Sequence, residues 1–217
     1  MGRPNFRKRN KPFKQQLPVF YIYSEGKNTE PEYFNSIRLD TLKIKVIGLG
    51  ANTISLVAKA VKHLKKEDFD KERDQKWCVF DKDDFNADQF DNTIHKAESK
   101  GFKVAWSNQS FEYWFVLHFE DHQGSAIDRT DYRDKINQYI SNEKAKYNLD
   151  GNKHVTEEFF QELCGIDQFT RKRRIDLAIK RAKRIHDSKK DSPPWTSESC
   201  TTVYELIESI MQYGKIL

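Results

Sequence analysis

Between residues 19 and 106 short apolar runs alternate with stretches of helical periodicity, and few folds accept that order. The runs are Val19–Ser24, Leu42–Ile47, Lys76–Phe80 and Phe102–Trp106. Between them, a helix is expected from about Thr29, with Thr29 as N-cap, Pro31 in the first turn, and Glu30 and Glu32 suited to its positive end. A second, over 53–66, carries Ile54, Val57, Ala58, Val61 and Leu64 at helical spacing. A third, over about 87–99, carries Phe90, Ile94 and Ala97 and stops at Gly101. Strand, helix, strand in this order predicts an α/β fold: a Rossmannoid core with a mostly parallel sheet and right-handed crossovers.

After residue 110 the periodicity becomes helical. Ser110 is placed to cap a helix over 111–119 that is nearly all apolar and so should be buried. Further helices are expected over 131–148, 156–164, 171–187 and about 202–213. The division that follows is a basic tail at 1–17, an α/β core at 18–120 and a helical extension at 121–217. The tail, with no periodicity, reads as disordered.

Charged residues make up 33% of the chain and hydrophobic ones 37%, with 15 Phe supplying core volume. No apolar run reaches the roughly 18 residues that span a bilayer, and no apolar segment follows the basic N-terminus as in a secretory signal. Cys78, Cys164 and Cys200 lack metal-type spacing and read as reduced thiols. These features fit a cytoplasmic protein with no membrane partner. The net charge of +5 is unevenly spread. Six Lys/Arg and no acid lie in residues 1–17, and ten Lys/Arg against two Asp lie in 171–190, so the remainder is net acidic. Two basic segments around an acidic core suggest a nucleic-acid partner, with Arg173, Arg174, Arg181 and Arg184 of the basic helix as phosphate contacts. The alternative is a solvated helix face.

Two of the apolar runs end in carboxylates. Val19–Ser24 leads into Glu25, and Lys76–Phe80 leads into Asp81, Asp83 and Asp84. Ligands of open α/β sheets bind at the carboxyl ends of the strands. Carboxylates gathered there repel one another unless a cation sits among them, and hard oxygen donors suit Mg²⁺ or Mn²⁺. In an extended segment Asp81 and Asp83 point to one side, about 6.5–7 Å apart. They can hold one ion or bracket two, with Glu25 as third ligand or proton-transfer group and Asp84 behind them.

Three segments, Ser24–Phe34, Asp81–Asp83 and Ser107–Phe119, resemble the RloB-like family in residue type and order. The resemblance covers roughly 18–120, with a weaker match at Thr201–Ile210. It implies a Toprim-like core, whose pattern is a Glu after the first strand and Asp-x-Asp after the third; Glu25, Asp81 and Asp83 occupy those places. It also implies a nuclease effector of bacterial antiphage and abortive-infection systems, acting on RNA (tRNA among the candidates) or DNA and encoded beside an ATPase partner. The family often has Pro where this chain has Gln109.

Other candidates are weaker. Glu112 is either a paired structural group or a fourth acid beside the metal. His118 lies six residues on, roughly 120° around the helix at about 100° per residue, and reads as a packed histidine. Lys27 and Lys82 are phosphate-contact candidates. An Asp81 phosphotransferase is disfavoured, because its motif would follow the first strand. A receiver-like module is weaker still. The main alternative to a nuclease is a non-catalytic nucleic-acid-binding adaptor on an ATPase.

Overall fold

The structure is a computed structural model that describes residues 16–50, 53–82 and 87–216. The basic segment 1–15, Asp83 and Asp84 lie outside the described residues. Four strands, β1 (Val19–Ser24), β2 (Lys43–Gly48), β3 (Gln75–Asp81) and β4 (Lys103–Ser107), alternate with α1 (Thr29–Ser36), α2 (Thr53–Leu64) and α3 (Ala87–Ser99). All pairings are parallel and the order is β2-β1-β3-β4. β1 and β3 are buried on both faces, as their continuous apolar composition requires. This is the α/β, Rossmann-like core expected from the alternation.

The strand order has a functional consequence. The chain leaves β1 towards β2 on one side, then returns over β1 to build β3 and β4 on the other. With right-handed crossovers, α1 falls on one face of the sheet and α2 and α3 on the other. The loops after β1 and β3 therefore part, opening a crevice between those two strand ends.

Five more helices follow: α4 (Glu112–Phe119), α5 (Tyr132–Asn137), α6 (Glu157–Cys164), α7 (Arg174–Ser188) and α8 (Val203–Met211). α4 is buried at every position. Its aromatic side chains join those of α1 and α6 around Tyr33, whose ring meets Phe34, Phe111, Phe115 and Phe160. Trp114 donates to the Tyr33 hydroxyl at 2.8 Å. Such ring pairs add about 0.5–1.5 kcal/mol each beyond area burial. α7 packs on α4, and its Ile175, Ala178, Ala182 and Ile185 are buried. α8 packs on β4, and the segment before it bridges β4 antiparallel, Ser107 to Thr201. The buried core runs without a break across residue 120. The three cysteines are free thiols.

Some expected elements differ. The helix foreseen over 131–148 is only α5 followed by a 3-10 turn at Glu143–Ala145. Asn137 ends it by clamping Tyr147, donating to its carbonyl at 2.9 Å and accepting from its N–H at 2.7 Å. Thr29 is not an N-cap; it is the first helical residue, and its hydroxyl donates to the Lys153 carbonyl. Ser110 makes no cap hydrogen bond to α4, which starts after Phe111. No helix among the described residues is long and apolar enough to cross a membrane.

Candidate functional site

Glu25 and Asp81 end neighbouring strands at the crevice. Ser24 is in register with Val79, and the Glu25 N–H donates to the Val79 carbonyl at 3.1 Å, extending the ladder by one residue. Neighbouring strands lie about 4.8 Å apart, so the backbones bearing the two carboxylates are close. Asp81 is itself in register with Ser107 of β4. Its Oδ2 accepts the Phe111 N–H at 3.0 Å. This bond comes from the start of α4, where the helix dipole favours an anion.

The turn after β1 is compact for a visible reason. Ser24 Oγ donates to the Gly26 carbonyl, and the Gly26 N–H donates to Glu30 Oε1 at 3.2 Å. A Cβ on Gly26 would lie 2.2 Å from Glu30 Oε2. A Cβ on Gly48, at the end of β2, would lie 2.6 Å from the Gly26 carbonyl oxygen. Both glycines are required by close approach rather than by an unusual φ.

Glu30 belongs to the site although its sequence position alone does not mark it as functional. Its place in the sequence makes Glu30 a first-turn acid of α1, but in the structure it is buried and lies in the fields of Glu112 and Glu25. Burial first, then those two carboxylates, push its pKa up to about 7 against the pull of two backbone N–H groups. The usable signal was the four-residue spacing from Gly26.

Glu112 is also buried. Lys153 Nζ pairs with its Oε1 at 2.9 Å, and the Tyr147 hydroxyl donates to the same oxygen at 3.2 Å. Burial works to raise its pKa, but Lys153 and the hydrogen bonds outweigh that and hold it below the usual carboxylate range. The structure thus gives Glu112 a partner from the helical extension and places it within reach of Glu30. Segment 153–155 also ties down α1, because Glu32 accepts from His154 and from the Val155 N–H.

As to a metal, the donor set is all carboxylate oxygen, which fits Mg²⁺ or Mn²⁺ and not a softer ion. Among the described residues no group of three or more His, Cys, Asp or Glu is arranged to hold one. Glu25 and Asp81 supply two carboxylates at the crevice; the third expected ligand, Asp83, lies outside the described residues, as does Asp84.

The remaining candidates divide sharply. Lys27 is exposed. Lys82 pairs with Glu198 at 3.4 Å, and Glu198 also accepts from Gln109. Gln109 has φ 74, a conformation closed to proline, whose ring locks φ near about −65°. The turn at this position is therefore built differently from one that carries Pro. His118 is fully buried, its Nδ1 bonded to the Trp114 carbonyl and its pKa lowered to about 3 mainly by burial.

Of the four arginines expected to contact phosphate, two do not lie on a free face of the basic helix. Arg174 and Arg181 are buried. Arg174 donates to the Glu162 carbonyl and carboxylate and lies over the Phe119 ring. Arg181 donates to the Leu117 carbonyl at 2.8 Å. Arg184 bonds Asp121 and the His122 carbonyl. Arg173 forks onto Asp176 and reaches the Ile216 carbonyl. These side chains fasten the extension together. The exposed cations of this region are Arg171, Lys172, Lys180, Lys183, Arg184 and Lys190, of which Arg184 is paired with Asp121.

No curated protein and no solved structure matches the chain. One protein-family comparison does, and it spans both the carboxylate crevice and the helices that close over it. With residues 20–210 matching the RloB-like protein family, the chain belongs to that family.

Proposed function

We propose that this chain is a metal-dependent nuclease, a phosphodiesterase acting on RNA (tRNA among the candidates) or DNA, and that it serves as the effector of an antiphage system with an ATPase partner. One observation carries the chemistry: Glu25 and Asp81 end adjacent parallel strands at the point where the strand order reverses. In open α/β sheets that is where ligands bind. The defence role and the ATPase partner are what the resemblance to the RloB-like family implies.

Mg²⁺ or Mn²⁺ bound there would polarise the phosphoryl group and offset charge on the leaving oxygen, worth several kcal/mol. Asp81 and Asp83 would hold it. Asp81 is presented for that by the Phe111 N–H, which occupies Oδ2 and sets the carboxylate plane. Glu25 completes the set or moves a proton to or from the attacking water. Glu30, anchored on the Gly26 N–H, stiffens the turn that carries Glu25.

The test is cleavage of labelled RNA and DNA by the purified chain, alone and with its ATPase partner, with Mn²⁺ and with EDTA. Metal-dependent cleavage lost in Glu25→Gln supports the nuclease. Binding without cleavage under every condition, with defence retained in Glu25→Gln, would make the chain an adaptor.

A further inference from the structure

Beside the carboxylate crevice lies a second feature that the proposed chemistry does not use. A cavity of about 300 Å³ opens between α4, α5 and the loop 147–153, lined by Ser110, Glu112, Tyr132, Arg133, Tyr147 and Lys153 among others. It adjoins the site directly. Ser110 and Glu112 line the cavity, while Phe111 between them bonds Asp81.

The walls are built. Tyr147 is fixed by the Asn137 clamp and by stacking on Phe159, ring centroids 4.9 Å apart. Glu112 is held by Lys153 and Tyr147. The Tyr132 hydroxyl differs from these. Its residue is 1% exposed, and among the described residues the oxygen has no hydrogen-bond partner. A buried hydroxyl left unpaired costs free energy unless something supplies the missing bond. Tyr132 lines the cavity, and burial first, then the carboxylates of Glu198, Asp81 and Glu112, hold its phenol in the protonated form that can donate.

The lining also has a definite chemical character. Phenol, carboxylate, serine hydroxyl and the Asn148 amide offer donors and acceptors in the interior. Arg129, Arg133 and Lys153 contribute positive charge. Polar edge groups inside and cations around them match a nucleoside with its phosphates. A volume at the lower end of ligand pockets, which start near about 300 Å³, takes one nucleoside and not a base pair.

We infer that this cavity receives a single unstacked nucleotide of a single-stranded nucleic acid, its base edge or ribose bonded by Tyr132 and its adjoining phosphate directed to the Glu25–Asp81 crevice. The inference rests on the proposed nuclease reading for the role of that crevice. The enzyme would then act on loops, bulges or single strands, as enzymes that extrude a nucleotide do.

The experiment measures equilibrium binding of the full chain, in EDTA so that no cleavage intervenes. The probes are a fluorescent single-stranded RNA of about 12 nucleotides, within known single-strand site sizes, its DNA counterpart and the RNA duplex. Single strands should bind about tenfold or more tighter than the duplex. Tyr132→Phe should weaken single-strand binding by about fivefold to tenfold, one hydrogen bond's worth. It should leave duplex binding unchanged and should raise the melting temperature of the free chain rather than lower it, because the buried hydroxyl has no partner among the described residues. Tyr132→Trp, which crowds the cavity, should abolish the preference. RNA bound more tightly than DNA would assign the bond to the ribose; equal binding would assign it to the base. Duplex bound as well as single strand, unchanged binding in Tyr132→Phe, or no binding at all would overturn the inference. A chain that binds in this pattern but never cuts would retain the cavity's role and sink the nuclease instead.

Discussion

The Phe111 N–H donates to Asp81 Oδ2 at 3.0 Å, so the start of α4 holds the carboxylate that ends β3. Phe111 is 1% exposed and cannot turn to water instead. This separates two substitutions that otherwise look alike. Asp81→Asn keeps an oxygen for the N–H and loses the charge. Asp81→Ala strands the donor, which should cost about 1–3 kcal/mol. Urea denaturation should show Asp81→Asn close to the parent and Asp81→Ala clearly below it.

Gly26→Ala tests the turn that carries Glu25. The added methyl would overlap the Glu30 carboxylate at 2.2 Å, and Glu30 is buried. Overpacking of this kind costs typically about 1–3 kcal/mol. We expect a lower melting temperature and a loss of any Glu25-dependent activity. An unchanged melting temperature would mean that Glu30 is not fixed on Gly26.

Glu30 also sets a pH dependence. Its folded pKa of about 7 lies above the ordinary 4.5, so the folded state holds the proton more tightly than the unfolded chain. Its contribution is therefore favourable at low pH and is lost as pH rises from about 4.5 to about 7. Glu30→Gln keeps an oxygen for the Gly26 N–H and removes the ionisation. The stability of this variant relative to the parent should rise across that window, by on the order of 1–3 kcal/mol. A difference that does not change with pH would place Glu30 in solvent.

Arg181 and Lys180 are neighbours on α7 with opposite roles. Arg181→Ala removes a buried donor to the Leu117 carbonyl and should destabilise by about 2–4 kcal/mol. Lys180→Ala, at an exposed position, should fall within about 0.5 kcal/mol. Charge reversal of Arg173, Arg174, Arg181 and Arg184 together would unfold the extension, so lost nucleic-acid binding in that variant would carry no information. Reversal of exposed Lys172, Lys180 and Lys190 is the informative test. Their loss should flatten the salt dependence of binding, since each neutralised phosphate contributes to its slope.

The strands were legible because continuous apolar runs admit few alternatives, and the carboxylates after them follow from strand ends. The burial of Arg174 and Arg181 is only partly legible in their spacing. Arg174, Ala178, Arg181 and Ile185 recur at helical period, so the two buried arginines share the apolar face of α7. A guanidinium in that phase needs a carbonyl or carboxylate from another element, and only tertiary structure supplies it. Residues 138–148 are not helical for the same reason: their course depends on the Asn137–Tyr147 clamp, and the segment after them is tied to α1 more than 120 residues away.

The central claim is that Glu25 and Asp81 do chemistry rather than hold the fold. The most direct measurement is single-turnover cleavage of a labelled RNA by Glu25→Gln and Asp81→Asn, with the partner present, over a Mn²⁺ titration. Both variants keep an oxygen where the parent has one, so both should fold as the parent does. The account predicts a parent rate that rises with Mn²⁺ and a loss of at least about 100-fold in each variant, as befits removal of several kcal/mol of transition-state stabilisation. Full cleavage by both variants, or a parent rate indifferent to Mn²⁺ and EDTA, would contradict it.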